Sequence, residues 1–214
     1  MKIAILGESP ADEAAVELLV GAILGREIVR ETIRNYRAPG WTSIPRIVPL
    51  VLRTLYFSSD ADGLVVVLDS NGTPVHKEIR GNNEGVCDPD CRLCSLRSIA
   101  RRELAHLTKL PHRKPLRFAV GLAVPAIEAW LLSTREHGIN EIAWQMAKSE
   151  KPPRMAYTKR TLKVKTYGND PIPIELETQK MLEHMRDVVS DLNRLATYFP
   201  GGFTPLFDEI RSWK

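Results

Sequence analysis

Acidic residues stand where two apolar runs of this sequence end. Lys2-Ile3-Ala4-Ile5-Leu6 is closed by Gly7-Glu8-Ser9-Pro10, and Gly63-Leu64-Val65-Val66-Val67-Leu68 by Asp69-Ser70-Asn71-Gly72. Continuous apolar runs of this length, bounded by turn residues, read as strands covered on both faces. In open parallel sheets, ligands gather outside the carboxyl ends of the strands. Glu8, Asp12 one helical turn further on, Asp69, Asn71 and Glu128 thus offer oxygens toward one sheet edge. Converging oxygens are what a hard divalent cation, Mg²⁺ or Mn²⁺, requires. Taken singly, Glu8 and Asp69 could instead cap helix N-termini, a common role for acids in such turns.

The chemistry such a centre would support is metal-assisted phosphodiester hydrolysis, with a water oriented and the attacking and leaving oxygens stabilised. Basic residues fit a polyanionic partner. Lys148, Lys151, Arg154, Lys159, Arg160, Lys163 and Lys165 face a single Glu150 in one stretch; Arg97, Arg101, Arg102, Lys109, Arg113, Lys114 and Arg117 face Glu103 in another. Such clusters suit a nucleic-acid backbone, DNA or RNA, and the net charge of +4 agrees. Lys159, Lys163 and Lys165 are equivalent candidates to offset transition-state charge; Lys163 is assigned that role. A solvated basic surface is the plainer alternative.

All three cysteines fall in Cys87-Asp88-Pro89-Asp90-Cys91-Arg92-Leu93-Cys94. Three thiolates with one histidine, His76 or His106, could form a closed tetrahedral Zn²⁺ site that staples a long insertion. The same spacing holds iron–sulfur clusters in radical-SAM enzymes, but here it lies mid-chain in a sequence too short for a barrel. Free cytosolic thiols are the third reading.

The elements that must position these residues alternate. Strands are expected at 2–6, 27–33, 63–68 and 116–124. Helices are expected from Pro10 to Gly25, at 44–57 with Pro49 an awkward fit, at 93–107, and from Pro125 onward. Beyond these come a basic, aperiodic loop at 148–170 with Pro152-Pro153, a long amphipathic helix at 174–198, Gly201-Gly202, and a short helix at 205–213. Residues 36–40 read as a loop. This order predicts an α/β three-layer sandwich with a mainly parallel sheet. One domain over 1–214 is expected: a core at about 1–135, a Cys-containing insertion at about 71–94, and a basic loop with a helical C-terminal extension at about 145–214. The first turn lacks the spaced glycines of a dinucleotide site, and no phosphate-cradling loop is present. No apolar run reaches the roughly 18 residues of a membrane span. The first residues enter a strand without a leader pattern, so a cytoplasmic protein is expected. His112, His137 and His184 read as surface residues. Trp130, Trp144 and Trp213 read as core, and Trp41 as a packing residue or a base-stacking one.

A glutamate after the first strand and an acidic pair after the third resemble the TOPRIM module of topoisomerases, primases and OLD-type nucleases. Val124-Pro125-Ala126-Ile127-Glu128-Ala129-Trp130-Leu131-Leu132 resembles one branch of it, small stand-alone OLD-nuclease-like proteins. The resemblance covers about residues 1–135. It implies a metal-dependent nuclease in which Glu8, Asp69 and the position of Asn71 hold the metal, with Asp12 and Glu128 as further ligands and Glu8, Asp69 and Glu128 catalytic. Related nucleases often work beside a separately encoded ATPase, sometimes in antiphage defence. Asn71 departs from the pattern, which prefers a second aspartate. The amide removes one negative charge, so a catalytically degenerate nucleic-acid- or partner-binding subunit is the alternative.

Overall fold

The structure, a computed structural model, describes residues 1–33, 41–77, 87–107, 114–149 and 157–214. The expected loop at 36–40, His112, Lys109, Arg113, Glu150, Lys151, Pro152-Pro153 and Arg154 lie outside the described residues.

Four strands, β1 (Lys2–Leu6), β2 (Val29–Glu31), β3 (Gly63–Asp69) and β4 (Arg117–Ala123), form an all-parallel sheet in the order β2-β1-β3-β4. Parallel strands need crossovers, and here helices supply them: α1 (Pro10–Leu24), α2 (Ile44–Ser58) and α3 (Arg92–Leu107). The two-residue side-chain period of the strands then separates two cores. Ile3, Ile5, Val65, Val67 and Ala119 pack with α1 and the C-terminal helices; Ala4, Leu6, Leu64, Val66, Leu68, Val120 and Leu122 pack with α2 and α3. This is the expected three-layer α/β sandwich. The register pairs Gly63 with Arg117 and Asp69 with Ala123, so the acids after β1 and β3 share the carboxyl end of the sheet.

The helices of the second half depart further from expectation. α4 (Ile127–Leu132) begins two residues after Pro125, which follows a cis peptide bond. α5 (Glu141–Ser149) precedes α6 (Lys159–Tyr167), so within the basic stretch expected as a loop at 148–170, residues 148–149 and 159–167 are helical. α6 starts at a reciprocal cap: the Thr158 hydroxyl accepts from the Thr161 N–H, and the Thr161 hydroxyl accepts from the Thr158 N–H. Such a cap satisfies two otherwise orphaned donors. The helix expected at 174–198 is two, α7 (Ile174–Val189) and α8 (Leu192–Tyr198), because Asp191 caps the second by accepting from the Arg194 N–H. α9 (Thr204–Arg211) closes the chain.

The C-terminal segment belongs to the core. Met181, Met185, Phe199, Phe203, Leu206 and Ile210 are fully buried, and Trp130 meets the Phe203 ring edge-on at 5.4 Å. Gly201 and Gly202 are locked by the buried Glu141 carboxylate, which accepts from both N–H groups at 2.7 and 2.6 Å. The Gly202 carbonyl in turn accepts from the Leu122 N–H at 3.0 Å, covering part of the β4 edge. A Cβ on Gly202 would overlap the Leu122 carbonyl oxygen. Gly202→Ala is therefore expected to destabilise by about 3 kcal/mol. Thermal unfolding checks this, with a drop of roughly 10 °C for a chain of this size.

No helix among the described residues is long and apolar enough to cross a membrane.

Candidate functional site

The carboxyl end of the sheet gathers the residues its sequence implicates. Asp69, the last residue of β3, has the same parity as Val65 and Val67, so it projects toward the α1 side of the sheet. Its N–H donates to Glu8 Oε1 at 3.3 Å, and its Oδ1 accepts from the Ile127 N–H at 3.0 Å. The capping alternative is thus partly realised. Ala126, the residue before α4, offers no side-chain cap, and Asp69 serves the first donor of that helix from across the crevice. Glu8 caps nothing; Ser9 caps α1 by accepting from the Asp12 N–H at 3.1 Å.

Asp69 Oδ2 remains, and the Lys159 ammonium holds it at 2.5 Å. The same Nζ lies 3.2 Å from Asn71 Oδ1 and 3.7 Å from Glu8 Oε2. Lys159 thus takes three of the oxygens that sequence assigned to a metal. Lys163, one turn along α6, lies 3.8 Å from Glu128 Oε1. Lys165 turns away and pairs with Glu136. Asn71 has a positive φ of 47° ahead of Gly72 at 82°. Asparagine and aspartate both tolerate this left-handed conformation better than most residues.

Burial raises the proton affinity of the acids. Asp12 is pushed up to about 7 by desolvation and by the charges of Asp69 and Glu128. Glu128, 2% exposed, is pushed up to about 7 by desolvation and by Asp69. Asp69 is also raised, by burial first and Glu8 next, against the opposing pull of Lys159. Among the described residues, Glu128 Oε2 and the Tyr167 hydroxyl, which feels the charges of Glu128 and Asp12, are buried here without a hydrogen-bond partner, as is the neighbouring Ser70 Oγ. Buried oxygens without donors are costly, and a cation with its bound waters would satisfy them. These donor atoms are oxygens, the type a hard cation takes, and the Lys159 ammonium stands among them.

The sign of the resulting pH dependence follows. Between about pH 4 and 7 the folded chain holds more protons on Asp12 and Glu128 than the unfolded chain does, so stability falls as pH rises through that window. For Glu128 the shift from 4.5 to about 7 corresponds to about 3 kcal/mol, fully expressed above pH 7. A cation that binds the ionised acids reverses this. Melting temperature between pH 5 and 8 is expected to fall without divalent cation and to stay level or rise with Mn²⁺. Glu128→Gln should flatten the cation-free profile.

A second centre lies beside the first. His76, after β3, places Nδ1 3.4 Å from Cys87 Sγ, 3.7 Å from Cys91 Sγ and 3.3 Å from Cys94 Sγ. A tetrahedral site with bonds of roughly 2.3 Å to sulfur and 2.0 Å to nitrogen has S···N edges of about 3.5 Å. The four donor atoms all lie within 4.8 Å of one another, and Cys91 is fully buried. This cluster could hold a metal such as Zn²⁺. His106, the other candidate, is exposed on α3. Among the described residues no other His/Cys/Asp/Glu group closes so tightly; the carboxylates are spread wider, with Lys159 among them.

Of the basic cluster at 97–117, the described Arg97, Arg101 and Arg117 are not beside the crevice. α3 carries Arg97 and Arg101 away from it, and Arg117 begins β4, about 20 Å from the Asp69 end at 3.3 Å per residue. Arg97 donates to the Pro205 carbonyl at 3.3 Å and Arg117 to the Trp213 carbonyl at 2.5 Å. His184 is half-buried: its Nδ1 is covered, and desolvation lowers its proton affinity. Exposed His137 meets Arg194 and the Tyr198 hydroxyl, both at 3.2 Å. Trp41 packs against the α2–α3 core under the Arg92 guanidinium. Arg92 and Tyr167 are site residues that sequence reading did not single out. Adjacency to Cys91 was a usable signal for the first; nothing local marked the second. No family model, curated protein or solved structure matches this chain, so the likeness to TOPRIM proteins rests on its motif residues alone.

Proposed function

We propose that the crevice binds Mg²⁺ or Mn²⁺ and that the chain is a TOPRIM-like nuclease hydrolysing phosphodiester bonds in DNA or RNA. The observation that carries this reading is the meeting of Glu8, Asp12, Asp69 and Glu128 at one strand edge, with Glu128 Oε2 and the Tyr167 hydroxyl buried and unpartnered. When bound, the cation supplies Lewis acidity and a water of lowered pKa. Glu8 and Asp69 hold it, and Asp12 and Glu128 contribute the charge that Asn71 lacks. Lys159 and Lys163 give up their carboxylate contacts and meet the charge that develops on the phosphate. In the cysteine centre the metal is Zn²⁺ with a structural role, because four protein donors leave no open position for substrate.

The test is cleavage of labelled single- and double-stranded DNA and RNA with added Mn²⁺. Wild type is expected to cleave at least one of them and Glu8→Ala none; equal cleavage by both proteins overturns the mechanism. One observation favours a non-catalytic binding subunit instead: an amide at position 71 and an ammonium among the acids both lower the net charge offered to a cation. Salt-sensitive nucleic-acid binding without cleavage in any divalent cation selects that reading.

A further inference from the structure

Arg92 stands between the two centres. It follows Cys91 directly and opens α3. Its Nη1 donates to the Asp69 carbonyl oxygen at 2.9 Å, and its guanidinium lies over the Trp41 ring at 4.9 Å. These contacts fix the plane of the group on two sides. Yet among the described residues Nε is buried without a partner and no carboxylate pairs with Arg92. Lys159 and Lys163, by contrast, are both engaged with acids. A guanidinium offers five donors in a rigid fork that matches two phosphate oxygens at once. Half-buried and within reach of the charges of Glu8 and Asp69, it stands beside the acidic crevice with part of its fork still accessible.

What holds it there is short. Cys91 is fully buried and one bond away along the chain, and its carbonyl accepts from the Ser95 N–H at 3.0 Å in the first turn of α3. Without a metal, weak sulfur contacts link the three thiols to His76. With one, four coordinate bonds fix this turn against the segment after β3.

We propose that Arg92 grips a backbone phosphate of the nucleic acid, and that metal in the His76–Cys87–Cys91–Cys94 centre positions it, so that emptying this centre switches off nucleic-acid binding at the crevice. The proposal rests on the reading of the crevice as a nucleic-acid site.

The experiment measures fluorescence anisotropy of labelled single-stranded and duplex oligonucleotides with the full-length, zinc-loaded protein in Ca²⁺. Arg92→Ala is expected to weaken binding roughly tenfold or more, and Arg92→Lys to recover only part, because an ammonium cannot replace a planar fork. Mn²⁺ binding by calorimetry is followed in both variants, and a loss of oligonucleotide affinity much larger than any loss of Mn²⁺ affinity marks a direct phosphate contact. Removing zinc with a chelator should weaken wild type by the same factor and Arg92→Ala no further. If chelation unfolds the chain by circular dichroism, the same comparison is made with Cys94→Ser, alone and combined with Arg92→Ala. Wild-type affinity in Arg92→Ala overturns the phosphate role. Equal further loss in Arg92→Ala on zinc removal overturns the coupling. Failure of the zinc-loaded wild type to bind any oligonucleotide while still binding Mn²⁺ overturns the nucleic-acid reading itself.

Discussion

Asp69→Asn is expected to lower Mn²⁺-dependent cleavage on the order of 10³-fold while leaving the chain folded. The substitution preserves volume, and the remaining carbonyl oxygen still accepts from the Ile127 N–H. It removes the charge that Lys159 balances at 2.5 Å and turns an amide toward that ammonium or toward the cation. Burial already disfavours the ionised aspartate, so neutralising it relieves a desolvation cost, and the melting temperature in the absence of cation should hold or rise. That combination separates a ligand from a structural residue: a purely structural Asp69 would lose stability and keep its metal response. Calorimetric titration of Mn²⁺ and cleavage of a labelled oligonucleotide measure both sides, and an Asn variant that cleaves like wild type overturns the assignment.

Zinc removal is the second large effect. Burial pushes the Cys94 thiol up to about 12 and also raises that of Cys91, so in the metal-free chain these sulfurs keep their protons. Zinc displaces those protons, and its binding energy becomes folding energy. Elemental analysis of the purified chain is expected to give one zinc per molecule. Cys91→Ala should cost about 3–5 kcal/mol, because it removes a ligand and leaves a void at a fully buried position. For a chain of this length that is a fall in melting temperature of about 10 °C. Cys91→Ala that melts like wild type, or protein isolated without zinc, would show that these thiols are merely packed.

β1, β3 and β4 were legible because each is a short apolar run ending at a turn, a pattern that survives in any sheet covered on both sides; β2, Val29-Arg30-Glu31 at the sheet edge, carries no such run. The crevice was legible for the same reason: Glu8 and Asp69 end adjacent parallel strands, and register alone brings them together. The second half was harder. The stretch around 159 shows charge and no clear apolar stripe, and α6 is specified by its Thr158–Thr161 cap and the burial of Leu162 and Tyr167. The break after Val189 depends on one side chain, Asp191, overriding a continuous helical period. Choosing Lys159 as the central lysine required knowing where α6 begins. Choosing His76 over His106 required knowing that the segment after β3 returns to the start of α3. Both are facts of tertiary path, which periodicity does not encode.

Asp69 bonds through every polar atom it has: its amide to Glu8, its carbonyl to Arg92, one carboxylate oxygen to the Ile127 amide and the other to Lys159. Four separate parts of the chain are therefore tied to one knot at the tip of β3. A shift of this one residue is therefore felt in all four at once.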